Sequence, residues 1–179
     1  MVLDITQYGN PILRKKCQPV SGITDELKEL VENMIETMRE AEGIGIAAPQ
    51  VDVDLQLAVV DVSHDPECFS YLRVDGEDAK LEDFMPLVFF NPELEFGKKK
   101  ELEMEGCLSI QGINAKVNRP ADVSAKLHLM DGRVVTIETD GLFARAIQHE
   151  TDHLNGILFT DRVAPASKLS VRRKLKQLV

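Results

Sequence analysis

The stretch AIQHETDHLNG, residues 146–156, holds two histidines four residues apart, His149 and His153, with Glu150 directly after the first. On a helix, residues four apart lie on one face, one turn above the other. Two imidazoles then meet one cation, and Glu150, about 100° further round the helix, can touch a water held there. This is the H-E-x-x-H pattern of two zinc-type ligands and a general base. Leu142, Ala146, His149 and His153 share a stripe flanked by Phe143, Ile147 and Leu154, so the histidines face the core. Burying two imidazoles and a carboxylate is costly unless they are paired or ligate something. The plainer alternative is two satisfied core histidines beside an unrelated glutamate.

A catalytic metal site needs a third protein ligand and an open fourth position. After His153 the chain has no Glu and no His, and Asp161 is the last carboxylate side chain. The third ligand therefore comes from upstream. His64 and Cys68 lie in an acidic stretch ill suited to a rigid site, His128 lies in a strand pattern, and Cys17 has no supporting pattern. Cys107, in EMEGCLSI, is the best candidate, because Gly106 lets the backbone turn or approach closely. One thiolate and two imidazoles suit Zn2+ or Fe2+.

The elements that must position these residues are read from periodicity. Residues 24–42 form an amphipathic helix, with Leu27, Leu30, Val31, Met34, Ile35 and Met38 at helical steps, Thr24 or Asp25 as cap and Gly43 as stop. Residues 140–155 form the metal helix, with Asp140 as N-cap and Gly156 as stop. Strands are expected over 55–62, over 86–96 with a break at Pro92, over 115–130 and over 132–139, the last two joined by a turn at Asp131-Gly132. The 63–85 segment has seven acids, two basic residues and little periodicity, and reads as a long exposed loop. Residues 165–179 carry Lys168, Arg172, Arg173, Lys174 and Lys176 without an acid and read as a basic amphipathic helix. The fold class expected is α+β, with mixed or antiparallel sheets packed around a central metal-binding helix and a helix towards each end of the chain.

The 179 residues fit one domain, 1–179, with 165–179 as its basic tail. A formal charge of −9 argues against DNA or general nucleic-acid binding by the body of the domain. No apolar run is long enough for a membrane span, and the start resembles neither a secretory signal nor a transit peptide. A cytoplasmic location is expected. Three cysteines without a CxxC pair argue against a disulfide framework.

Three blocks, GIGIAAPQ at 43–50, EGCLS at 105–109 and QHETDH at 148–153, together resemble the peptide deformylase family, as do NPILRKKCQPV and DHLNGILFTDR. The resemblance implies a metal held by Cys107, His149 and His153. The implied ion is usually Fe2+, with Zn2+, Ni2+ or Co2+ able to replace it, one per chain. It implies removal of the N-formyl group from the initiator methionine of nascent polypeptides, with release of formate. Glu150 would take the proton of the attacking water and pass it to the leaving amine. The Gln50 amide and the Leu108 backbone N–H would face the oxyanion. Ile44 and Gly45 would lie along an extended substrate peptide, although Gly43 and Gly45 also read as a helix stop and a turn residue. Ile44, Leu142 and Ala146 are candidates for a methionine pocket, with Arg145 nearby. Glu105 and Arg119 are candidates for an ion pair behind the ligands, and Arg119 reads equally as a surface arginine. Asp152 either orients a neighbour or lies on a solvated helix face.

Many relatives have VPG after EGCLS where this chain has Ile110-Gln111-Gly112, and the 63–85 segment is longer and more acidic than usual. Neither departure touches a ligand or the base. In some members of the family the C-terminal helix docks on the ribosome; the basic tail does so here, or simply packs on the domain. The rival functions are another H-E-x-x-H metallopeptidase and a non-catalytic metal-binding relative.

Overall fold

Alternation along one buried strand sets the two faces of the main sheet. In β2 (Leu57–Val60), Ala58 and Val60 point into one apolar cluster and Leu57 and Val59 into another. Side chains in a strand alternate between faces, so each face needs its own cover. The computed structural model, which describes residues 1–66 and 68–179, supplies one helix to each. Helix α1 (Asp25–Glu40) packs Leu27, Val31, Met34 and Met38 against the Leu57 and Val59 face. Helix α2 (Gly141–Leu154) packs Phe143, Ala146, Ile147 and Leu154 against the Ala58 and Val60 face.

The remaining strands are β1 (Gly45–Ala47), β3 (Leu72–Val74), β4 (Glu77–Asp78), β5 (Leu87–Phe96), β6 (Lys100–Cys107), β7 (Ile110–Pro120), β8 (Asp122–Leu129) and β9 (Val134–Asp140). The main sheet has the order β1-β2-β5-β8-β9-β3-β4, and β6 and β7 form a separate pair. The strand pairs are antiparallel. The architecture is therefore α+β, as expected from the sequence. A third apolar cluster lies on the β6-β7 pair, where Ile113, Ala115 and Val117 of β7 meet Leu13, Phe159 and Val171. Val171 is the one buried residue of α3 (Lys168–Lys176).

Three local expectations are corrected, and one strand had no counterpart in the sequence reading. Pro92 does not end its strand: β5 runs through it on a register shift between Phe90 and Glu93, with Asn91 at φ 48°. A bulge absorbs the missing N–H, and the Asn91 side chain bonds Val20 N and O at 2.8 and 2.9 Å. The 115–130 run is two strands in different sheets, divided at Ala121. The acidic segment is not all loop, for it holds β3, β4 and a 3-10 turn at Leu81–Phe84. Its Leu72 is buried, and β3 pairs with β9. Strand β6, which carries Cys107, had no visible pattern, since only Glu105 in it is fully buried.

Cys17 is buried at 3% exposure. Burial first, and then the Asp54 carboxylate, push its thiol up to about 11. The thiolate is the reactive form, so at pH 8 Cys17 should alkylate far more slowly in the folded chain than in urea, with the folded rate rising towards pH 11. Peptide mapping after iodoacetamide checks this; equal labelling in both states would contradict it.

Candidate metal centre

The metal helix begins where a neighbouring segment caps it. Asp140 occupies the N-cap position, but its side chain accepts from Tyr71 N at 3.2 Å and caps nothing in α2. Ser70 Oγ instead accepts from Phe143 N at 3.1 Å, so the cap comes from the acidic segment. At the other end Gly156 adopts φ 73°, and a Cβ there would lie 2.5 Å from Arg14 O. This left-handed, crowded position requires glycine, and the helix stops immediately after His153 and Leu154.

Cys107 reaches the histidines from the end of β6. The sulfur lies 3.4 Å from His153 Nε2, and one ligand atom each from Cys107, His149 and His153 fall within 4.8 Å of one another. No other such cluster is found among the described residues. The alternatives fall elsewhere: Cys17 is in the core beside Lys15 and Asp54, His128 stacks on Phe90, and His64 lines a separate surface depression. Ser109 N donates to the Cys107 sulfur at 3.4 Å, which helps fix the loop after the strand.

The electrostatics fit a cation. His153 is fully enclosed, and burial first, then His149, hold it well below the usual histidine range, in the neutral form that ligates. Burial acts in the same sense on His149, but the Cys107 thiol and the Glu105 carboxylate outweigh it and lift His149 to about 10. The surroundings of His149 thus call for positive charge, which a bound cation supplies while leaving the imidazole neutral.

Glu105 sits behind the ligands. It faces His149 Nδ1 at 3.0 Å and accepts from Arg119 Nε at 2.6 Å and Nη2 at 2.9 Å. Burial alone would raise this carboxyl, but His149 and Arg119 together hold it well below the usual carboxylate range. Arg119 is 2% exposed and donates also to Asp152 Oδ2 at 2.8 Å. Asp152 accepts two further bonds from Arg162, at 2.7 and 3.0 Å. The reading of Arg119 as a surface arginine and that of Asp152 as a solvated residue are therefore set aside. Arg162 was missed by sequence reasoning, and nothing in its local pattern marks it.

Glu150 is 3% exposed. Its Oε1 lies 3.8 Å from His149 Nε2, and Oε2 is buried without a hydrogen-bond partner among the described residues. Gly45 supports it from behind: a Cβ there would lie 2.9 Å from Glu150 Cδ. Gly45→Ala should therefore displace the carboxylate; on the reading of Glu150 as the base, kcat falls by about 100-fold, the scale of a misplaced catalytic group, with the metal retained. Steady-state kinetics beside metal analysis checks this, and an unchanged kcat would contradict it.

Gln50 is 1% exposed. Its Oε1 accepts from Ala47 N at 2.9 Å, and its Nε2 donates to Ser109 Oγ at 3.1 Å and towards Cys107 Sγ at 3.5 Å. Its amide thus points at the ligand loop. Leu108 packs on Gly43, where a Cβ would lie 2.9 Å from Leu108 Cδ1. A cavity of about 360 Å³ opens beside the ligands, and Ile44, Gly45, Leu142 and Ala146 line it, with Arg145 and Met104. Met104, 59% exposed, went unnoticed in the sequence because a lone methionine in a charged strand looks like surface.

A cysteine sulfur and two imidazoles converging on one point, with a buried carboxyl beside them whose Oε2 has no hydrogen-bond partner among the described residues and an apolar slot leading in, have the donor set and open side of a metal-dependent hydrolase. Comparison with known proteins specifies which. The family model described as polypeptide deformylase matches residues 2–169. The peptide deformylase of Methylacidiphilum infernorum is 42% identical over 178 residues, 99% of this chain and 93% of that protein. Peptide deformylase 2 of Gloeobacter violaceus is 43% identical over 162 residues, 90% of this chain and 79% of that protein. Among solved structures, a Synechococcus elongatus peptide deformylase in complex with actinonin superposes with a TM-score of 0.81 at 38% identity, covering 98% of this chain and 85% of that one. A Plasmodium falciparum peptide deformylase gives 0.83 at 35% identity, covering 97% and 94%. The chain belongs to the polypeptide deformylase family.

Proposed function

We propose that this chain, acting as one catalytic domain, hydrolyses the N-formyl amide of the initiator methionine of nascent polypeptides and releases formate. The observation that carries the reading is the cavity of about 360 Å³ that joins Cys107, His149 and Glu150 to the apolar side chains of Ile44, Leu142 and Ala146. An unbranched thioether fits an apolar slot of that kind. The formyl group at its mouth is small enough to reach the ligands.

Cys107, His149 and His153 would hold one divalent cation, Fe2+ natively, with Zn2+, Ni2+ or Co2+ acceptable to the same donors. Such a cation would supply Lewis acidity, the chemistry that makes water a nucleophile near neutral pH and polarises a carbonyl. Glu150 takes the proton of the attacking water and returns it to the methionine nitrogen as the carbon–nitrogen bond breaks, leaving formate and a free amine. Burial raises the Glu150 carboxyl, against the opposing pull of His149 and Arg119, to about 7. A group in that range both accepts and donates near neutrality. The Gln50 amide and the Leu108 N–H are the donors towards the oxyanion. Strand β1 is the end strand of the main sheet, which supports the reading that Gly45 and the preceding Ile44 lie along an extended substrate peptide. Glu105 and Arg119 orient His149 from behind.

Formyl-Met-Ala-Ser should release formate while acetyl-Met-Ala-Ser releases no acetate. Equal hydrolysis of both would count against a site built for the smallest acyl group. Internal cleavage of the peptide would favour a peptidase instead.

A cytoplasmic location fits this substrate, and no helix among the described residues is long and apolar enough to cross a membrane. Docking of α3 on the ribosome is part of the proposal. The helix carries five basic residues, buries only Val171, and leaves Leu169 59% exposed. Contacts to rRNA phosphates weaken steeply with salt. Reversing Arg172, Arg173 and Lys174 to glutamate should abolish co-sedimentation with ribosomes; unaltered binding would remove the idea.

A further inference from the structure

An arginine beside an apolar slot needs partners, because an unpaired buried charge is costly. Arg145 is 8% exposed and lies one turn before His149 on α2. Its Nη1 donates to Glu105 Oε2 at 2.6 Å and to Val117 O at 3.0 Å, and its Nη2 donates to Glu101 O at 2.8 Å. The guanidinium is thus turned away from the cavity that its stem helps to line. It ties α2 to both strands of the β6-β7 pair.

Glu105 has room for about four donors on its two oxygens. Arg119 takes two of these positions, Arg145 one and His149 one. The two arginines approach from different elements. Arg119 comes from β7 and fixes the carboxylate relative to the strand pair. Arg145 comes from the helix that carries His149 and fixes the carboxylate relative to that ligand. Arg119 also reaches α2, at Asp152 Oδ2 2.8 Å away, but that bond holds the arginine near the end of the helix, whereas Arg145 bonds Glu105 itself from the turn before His149.

We propose that Arg145 is a positioning residue for the metal centre. It locks Glu105 to the ligand helix, so that the carboxylate holds His149 with Nε2 aimed at the cation. The same guanidinium supports the cavity wall through Glu101 O and Val117 O, so the wall and the ligand share one anchor. The inference rests on the metal-centre reading above and needs no assumption about substrate.

The test is Zn2+ affinity of the full chain, measured by chelator competition, for wild type, Arg145→Met and Gln148→Met. Gln148 is the control. It is 4% exposed and ties α2 to the end of β7 through Pro120 O at 3.0 Å, without touching Glu105. Removing a partner behind a metal ligand typically costs about 10- to 100-fold in affinity. Arg145→Met should show that loss and Gln148→Met should not. The visible spectrum of the Co2+ form should change in Arg145→Met alone. Equal affinity in Arg145→Met and wild type, or an equal loss in Gln148→Met, overturns the proposal. A wild-type chain that takes up no Zn2+ overturns the metal-centre reading with it. If Arg145→Met does not fold, Arg145→Lys serves. It retains a donor for Glu105 but cannot span both carbonyls, so near-normal affinity supports the proposal and a 10- to 100-fold loss overturns it.

Discussion

Glu150→Gln should leave the metal in place and lower kcat by about 10⁴-fold, the upper end of what a positioned acid–base group contributes. The upper end applies because, in the proposed reaction, one carboxylate serves both halves, taking the proton of water and delivering it to nitrogen. The amide can do neither. The substitution is nearly isosteric, so Gly45 still fits behind it. Burial disfavours the Glu150 carboxylate, raising it to about 7, so the neutral amide does not destabilise the fold through lost charge. Thermal stability should therefore be unchanged or slightly higher, and stability and activity move independently. Steady-state kinetics, metal analysis and thermal melting on one preparation check all three. A kcat within tenfold of wild type would assign the base elsewhere.

Arg119→Met should produce the largest loss of stability, about 3 kcal/mol, at the lower end of the range for breaking a buried ion pair. Arg119 is 2% exposed and stands between Glu105 and Asp152. The loss stays at the lower end because Arg145 still serves Glu105 and Arg162 still serves Asp152. For a chain of this size such a loss lowers Tm by roughly 6–12 °C. Arg119→Lys should recover only part of it, since an ammonium cannot make the two-point contact to Glu105. Urea denaturation of the metal-loaded forms measures the effect. A loss below about 1 kcal/mol, the range of exposed pairs, would mean that the network is not the support described.

The parts of the site visible in the sequence are those written in local spacing. The His149–Glu150–His153 face follows from helical period alone, and α1 and the β8-β9 hairpin follow from apolar period and turn residues. Cys107 came by elimination and through Gly106. What remained hidden depends on contacts between distant segments. Arg119 and Asp152 are 33 positions apart, and Arg14 meets Gly156 across nearly the whole chain. No window of sequence holds both partners. Strand β6 was hidden because seven of its eight residues are not fully buried, so it lacks the alternation of a half-buried strand. The division of 115–130 was hidden for the opposite reason: β7 and β8 keep the same alternation on either side of Ala121 while belonging to different sheets. Ser70 took the capping role expected of Asp140 because the acidic segment folds back over the start of α2.

The most direct test of the account is formate release from a formyl-methionine peptide by protein purified without oxygen, with metal content read on the same sample. The account predicts formate production with about one metal ion per chain, lost together when Cys107 is replaced by alanine. Full metal occupancy without formate would contradict it, and would mean that the Cys107, His149 and His153 centre serves a different substrate.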